Sequence, residues 1–278
     1  MAEPGLSRIT AFAAFESRDF RVFWVASLAS NLGTLVQNVG AGWVMTELTP
    51  SREMVALVQT SATLPIMMFS LLAGALADTG DRRRMMLWAQ TFMLACALAL
   101  TALGWAGLLT PWLLIAFTFM LGTGTALHIA AWQASLGDIV PRNHLQSAVL
   151  LNSVGFNLMR SVGPAVGGAI VALAGATAAF ATNAVSYVAM IGALLRWRGA
   201  PAATGLPREA VGLAIASGIR YVAMSPNIIA VLVRSCLFGL TAVSILALLP
   251  VVTAETLGGT ALTFGLLLGS FGLGAIAV

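Results

Sequence analysis

The chain has very little charge and no lysine. Only 9% of its 278 residues are Asp, Glu, Lys or Arg, and all fourteen basic side chains are arginine. A water-soluble domain carries roughly 25% charged residues. Too little polar surface is present here to face water on every side. Cysteine is scarce too. Cys96 and Cys236 both fall in apolar runs, which argues against a disulfide framework and for small apolar packing residues. No His/Cys/carboxylate cluster has metal spacing, no Gly-Lys loop could cradle phosphate, and His128 and His144 stand apart from any nucleophile. No metal, no cofactor and no enzymatic activity are expected.

What the chain does have is apolar length. Hydrophobic residues make up 59% of it and the mean hydropathy is +0.94. Such a chain has lipid as its main solvent, so its first partner is a bilayer. The gaps between charges count the spans. No charge falls between Arg21 and Glu47, or between Glu53 and Asp78. The run 85–137 is long enough for two spans and breaks at residues 107–111. A second hairpin covers 146–195 and folds near Gly175. Residues 235–254 make a seventh span, and 263–278 begin an eighth. A span needs roughly 20 apolar residues. The runs are continuous rather than alternating, so helices are implied and the fold class is an all-α membrane protein.

The arginines orient these spans. Arg8, Arg18 and Arg21 precede the first. Arg82, Arg83 and Arg84 lie between the second and third, Arg142 between the fourth and fifth, and Arg196, Arg198, Arg208 and Arg220 between the sixth and seventh. The opposite loops hold only Arg52. Positive loops stay in the cytoplasm, which puts the N-terminus inside. The net charge of +4 then reflects orientation and anionic headgroups and calls for no nucleic-acid partner. The organisation expected is a cytoplasmic segment over 1–21, a six-helix bundle over 22–195, a cytoplasmic loop over 196–226 and the start of a second bundle over 227–278. Within the loop, Val211, Ile215, Ile219 and Val222 recur at helical spacing and predict a surface helix. A second short surface helix is expected within 5–21. The chain stops inside an apolar run with no closing charge, so it is expected to be part of a longer protein.

Three stretches carry candidate chemistry. The first is Gly74-Ala75-Leu76-Ala77-Asp78-Thr79-Gly80-Asp81-Arg82-Arg83-Arg84, the only dense charge cluster. Asp78 is expected to end the second helix just before the third, where unpaired N–H groups and a helix dipole favour a carboxylate. Gly74 is expected to permit close helix approach, and the arginines to anchor the loop at the headgroups. The second is Arg160, about 14 residues and so about 20 Å into the fifth span. A charge at such depth costs about 2.5–3.5 kcal/mol and must meet water, substrate or a partner. Ser153, Asn157, Arg160 and Pro164 share one helical face. Asn31, Thr34 and Asn38, with Gln37 beside them, form a polar stripe on the first helix. Two polar faces imply a shared hydrated cavity. Against that stands a structural arginine bonded to backbone carbonyls and the nearby asparagines. The third is Gly163-Pro164-Ala165-Val166-Gly167-Gly168, whose glycines suit a close helix crossing and whose proline frees a carbonyl.

Six helices, a long loop and a further set beginning at the seventh resemble the major facilitator superfamily, in which two six-helix bundles face each other across a substrate site. The signature between its second and third helices, Gly-x-Leu-Ala-Asp-Arg-x-Gly-Arg-Arg/Lys, is matched at Gly74, Leu76, Ala77, Asp78, Arg82 and Arg83. It departs at Thr79 and Asp81. Asp at the latter position, Ala131-Trp132-Gln133-Ala134 and the stretch from Asn152 to Pro164 are similar to one branch, the transmembrane secretion effectors related to the enterobactin exporter. The resemblance implies an inner-membrane exporter of small amphipathic molecules, siderophores or drugs, working by alternating access. It implies a conformational latch formed by Gly74, Asp78, Arg82 and Arg83. It likens Gly163, Pro164, Gly167 and Gly168 to an antiporter signature, which Met159 weakens. Protons are the candidate coupling ion, although no acid lies deep in spans one to seven. The rival expectation is a non-transporting membrane protein or a half-unit that assembles with another chain.

Overall fold

A computed structural model of the chain describes residues 12–197 and 211–277. The described residues form nine α-helices and no strand: α1 (Arg18–Leu48), α2 (Arg52–Thr79), α3 (Arg82–Trp105), α4 (Pro111–Ile139), α5 (Leu145–Ala174), α6 (Ala176–Arg196), α7 (Val211–Ala223), α8 (Pro226–Val251) and α9 (Ala261–Ala277). In lipid every backbone polar group must be satisfied within the chain, which selects helices for the apolar runs. Local signals place their starts. Ser17, Ser51 and Thr110 accept from the backbone N–H three residues on, and Pro111 opens α4 at the first helical position. Gly175 alone separates α5 from α6. Its φ of 82° is a conformation that residues with a Cβ rarely adopt, so the hairpin turns in a single residue.

Five helices, α2 to α6, are long and apolar enough to cross a membrane by length and composition. α1 is 31 residues long, but Asn31, Gln37, Asn38 and the charges at its ends dilute its apolar character. α7 and α8 meet the same test only as a pair, across a bend of 95°. The seventh apolar helix begins at Pro226, well before the expected residue 235, because Pro226 is accepted at N1 and no charge intervenes before Arg234. The surface helix expected in the loop coincides with α7. Residues 198–210 lie outside the described residues, as do the side chains of Val211, Ile215 and Ile219; Val222 is half-buried. The N-terminal surface helix falls partly on residues 1–11, which are also outside. Just before α1 the chain makes a single 3-10 turn, Ala13–Glu16, whose Ala14 N–H donates to the Ser147 hydroxyl of α5 at 3.2 Å.

α1 packs on α5 and α6, α2 on α4, and α3 on α4 and α6. Helices without a hydrophobic drive toward one another associate through small residues that let backbones approach. Gly33 shows how closely: a Cβ there would lie 2.2 Å from Ser186 Oγ. Gly122 approaches the Ala62 carbonyl of α2, and Gly104 approaches Thr177 of α6. α8 then lies on α2 and α9 on α5. Val251, Ala261 and Phe264 from this last part are buried in one cluster with Val36, Val39, Met45 and Val55 of α1 and α2. That joint lies at the end of the helices away from the arginine loop, hereafter the far end.

Candidate functional site

At the arginine-loop end the turn between α2 and α3 differs from expectation in three ways. The cap of α3 is Asp81, not Asp78: Asp81 Oδ1 accepts from the Arg84 N–H at 3.0 Å. α2 runs through Asp78 to Thr79, so Asp78 stands on the last turn of α2, and among the described residues it accepts from no α3 N–H group. Among the described residues Gly74 meets no close crossing: nothing of theirs lies within 4 Å of a Cβ built there. The arginines are also not simply headgroup anchors. Arg82 donates to the Ala77 carbonyl (3.2 Å), the Ala134 carbonyl (2.9 Å) and Asp138 Oδ2 (2.8 Å). Arg83 donates to the carbonyls of Leu194 (2.8 Å) and Leu195 (3.2 Å). Both satisfy carbonyls at helix C-termini, where a cation is favoured. They tie α3 to the ends of α2, α4 and α6. Only Arg84 points outward, paired with Asp81 at 3.3 Å.

Asp78 itself is exposed and makes no hydrogen bond or ion pair among the described residues. It borders a cleft of about 310 Å³ between α2 and α4, lined also by Ser70, Gly74, Ala126, Ile129 and Gln133. Open Gly74 and unpaired Asp78 therefore share one unfilled recess.

The polar stripe of α1 splits in two. Gln37 does not face a cavity. It is 4% exposed, and its side-chain oxygen accepts from Asn183 Nδ2 of α6. Asn183 also donates to the Tyr187 hydroxyl at 3.1 Å, and Ser186 donates to the Asn183 carbonyl at 2.7 Å. Thr34 donates to the Ser30 carbonyl at 3.0 Å and stands beside the Tyr187 hydroxyl. Burial without these partners would cost several kcal/mol per amide, so Gln37 and Asn183 act as a matched pair that fixes α1 against α6. The sequence offered a signal for this, since Asn183, Ser186 and Tyr187 recur at i, i+3 and i+4 on α6, a spacing of one helical face. Asn31 and Asn38 are half-buried and share the face that carries Leu35 and Gly42. Leu35 meets Gly163 of α5, and Gly42 lies near Pro250 of α8 and Phe264 of α9.

α5 presents two glycine faces. Gly163 and Gly167 approach Leu35, Val36 and Val39 of α1, while Gly168 approaches Ala261, Leu262 and Gly265 of α9. A Cβ at Gly265 would fall 2.3 Å from the Pro164 carbonyl, and one at Gly269 would fall 2.8 Å from the Ser161 carbonyl. Along the same line the Arg160 Cζ lies 5.4 Å from the centre of the Phe271 ring. Arg160 is half-buried. Among the described residues it has no hydrogen bond and no ion pair. The structural alternative for it is thus not met. Asn157 donates instead to the Ser153 carbonyl at 3.0 Å, and Ser153 to Val149 at 3.0 Å. The facing pairs Leu28–Gly155 and Leu35–Gly163 put Asn31 and Arg160 at one depth on adjacent helices.

At the far end Arg52 Nη2 donates to Glu255 Oε2 at 2.6 Å, and Arg52 Nε to the same oxygen at 3.1 Å. Glu255 lies in a π turn, Val252–Thr256, between α8 and α9. The pair edges a cavity of about 340 Å³ lined also by Trp43, Glu47, Thr49 and Gly258. The sequence offered no signal for a role of Glu255, because its partner is 203 positions away. Among the described residues no group of three or more His, Cys, Asp and Glu side chains could hold a metal ion.

Comparison with known proteins agrees with this architecture. The chain is similar to the staphyloferrin A transporter of Staphylococcus aureus, 25% identical over 259 residues that cover 92% of this chain and 64% of that protein. It is similar to macrolide efflux protein A of Streptococcus pyogenes, 24% identical over 176 residues, 63% of this chain and 42% of the relative. It also resembles an uncharacterised MFS-type transporter of Bacillus subtilis, 28% identical over 133 residues, 48% of this chain and 29% of the relative. The chain thus spans less than two thirds of the length of these curated relatives. The transmembrane secretion effector family matches residues 9–278, and with its helical fold and apolar spans this chain belongs to that family, a multi-pass membrane branch of the major facilitator superfamily.

Proposed function

We propose that the protein exports small amphipathic molecules, of siderophore or drug type, across a bacterial inner membrane by alternating access. The N-terminus and the arginine loop lie on the cytoplasmic side. α1 to α6 form one bundle, and 227–278 begin the second. The observation that carries this reading is the asymmetry of the two ends. At the far end the parts are joined by Arg52–Glu255 at 2.6 Å and by the cluster around Phe264. At the arginine-loop end Asp78 stands unpaired beside an open recess. A pair 67% and 46% exposed at its side chains holds weakly and is screened by salt, so it can open readily. An unpaired carboxylate in a recess suits a counterpart of positive charge or a helix N-terminus that docks in the other state. The relatives' names support efflux and siderophore-type cargo. Arg160, with Asn31, Asn38, Ser153 and Asn157, is the part of the path that meets cargo.

Single cysteines test it. With Cys96 and Cys236 replaced, a thiol at Thr253, 0% exposed here, is expected to react with an external, membrane-impermeant reagent only in the outward-facing state. A thiol at Ser70 in the recess is expected to react with a membrane-permeant reagent only in the other. Conditions that drive transport should move the two reactivities in opposite directions. Reactivities that never change, together with no efflux across a panel of siderophores and macrolides, would overturn the proposal.

A further inference from the structure

Arg160 differs from the other arginines near helix ends. Arg82 and Arg83 place their N–H groups on carbonyls, whereas among the described residues the Arg160 guanidinium makes no hydrogen bond and has the Phe271 ring 5.4 Å away. The neighbouring polar groups turn back onto their own helix: Ser161 donates to the Asn157 carbonyl, and Asn157 to that of Ser153. A guanidinium has five donors in a fixed plane. Left unmet within the hydrocarbon layer, such donors are costly. A ring within about 6 Å of the cation stabilises one face of it, and that leaves the edges, which carry all the N–H groups, free.

We infer that Arg160 and Phe271 form a two-part subsite for a planar oxyanion, a carboxylate-type group on the transported molecule. The edge of Arg160 binds it through paired N–H donors, and the Phe271 ring, carried by α9, holds the guanidinium plane in register. Phe271 is a positioning residue, half of it uncovered, and it reaches Arg160 because Gly265 and Gly269 let α9 lie against Pro164 and Ser161. The two halves of the subsite come from helices on either side of the α5–α9 crossing, so relative movement of α5 and α9 would loosen the grip on the anion. The subsite deepens the transport reading above and rests on it for the nature of the occupant.

The test is a binding measurement on the purified full-length protein in detergent. The probe is fluorescent pyrenebutyrate, compared with pyrenebutanol, its uncharged analogue. The carboxylate is expected to bind about tenfold tighter, as paired donors on an oxyanion allow. Arg160→Gln should remove the preference and Arg160→Lys should weaken it. Phe271→Leu should cut it to about threefold or less, and Phe271→Tyr should restore it. An unchanged melting temperature for Phe271→Leu separates positioning from folding. Equal binding of the two probes by the wild-type protein, or a preference that survives Arg160→Gln, overturns the subsite. A preference unaffected by Phe271→Leu overturns the role of Phe271. Because binding is read rather than transport, a protein that prefers the carboxylate but shows no efflux and no alternating thiol reactivity would refute the exporter reading and leave the subsite standing.

Discussion

Asp78 and Asp81 stand three residues apart and meet opposite needs. Asp81 caps α3 and pairs with Arg84; Asp78 has an open recess in front of it. Asp78→Asn keeps size and helix fit but removes the charge. It is expected to lower transport about tenfold, the scale of a lost charge-assisted contact, with membrane insertion and melting temperature unchanged. Efflux by the variant equal to wild type would rule out a latch role for Asp78. The sequence marked this loop plainly, because charge is rare elsewhere. It could not assign the cap, since either acid can precede a helix and only the end of α2 at Thr79 decides between them. Gln37 is a similar case. Its place beside Asn38 suggested a cavity, but one helical position, about 100° of rotation, separates the residue that meets α6 from the one that does not.

Among the elements, α5 is the one that packs extensively on both α1 and α9. Its 30 residues carry glycines on two sides, so α1 and α9 both approach its backbone. The glycine pattern was legible in sequence as a close crossing, but not which helix fills which side. That assignment depends on a partner residue, Gly265, about 100 positions further on. Gly265→Ala places a Cβ 2.3 Å from the Pro164 carbonyl. The backbone has to move, at a cost of about 1–3 kcal/mol for overpacking. A lower midpoint of thermal unfolding in detergent is expected. Gly74→Ala, with nothing within 4 Å, should leave the midpoint unchanged or raise it, since alanine favours the helix by about 1 kcal/mol over glycine. If the two variants melted alike, the α5–α9 crossing would not be the close contact described.

Among the described residues the far end is joined through Arg52 and Glu255, and the arginine-loop end keeps an open recess beside Asp78. If Arg52–Glu255 holds the far end, reversing one charge should disturb the balance of states and reversing both should restore it. Arg52→Glu and Glu255→Arg are each expected to reduce efflux several-fold, with greater external reactivity of a thiol at Thr253. The double exchange should bring both readouts back toward wild type, since the attraction depends on sign and not on which side carries it. Rising salt should mimic the single variants in part. Double-exchange protein that behaves like either single variant would show that the pair is incidental.

The sequence by itself determined the solvent, the secondary structure and the family. Scarce charge and long apolar runs leave lipid as the only large-scale solvent, and in lipid the backbone has to be helical. A motif as short as Gly74 to Arg84 then identifies the family, because its charges are so few that their spacing is informative. Tertiary structure decided which polar residues face one another. It put Gln37 on Asn183, Arg82 on Asp138, Arg52 on Glu255 and Arg160 under Phe271. Each of those pairs joins different elements, and periodicity along one helix gives a face but not its partner. The rotation and depth of each helix are set by where its glycines let a neighbour's backbone approach, and that is a property of two surfaces at once.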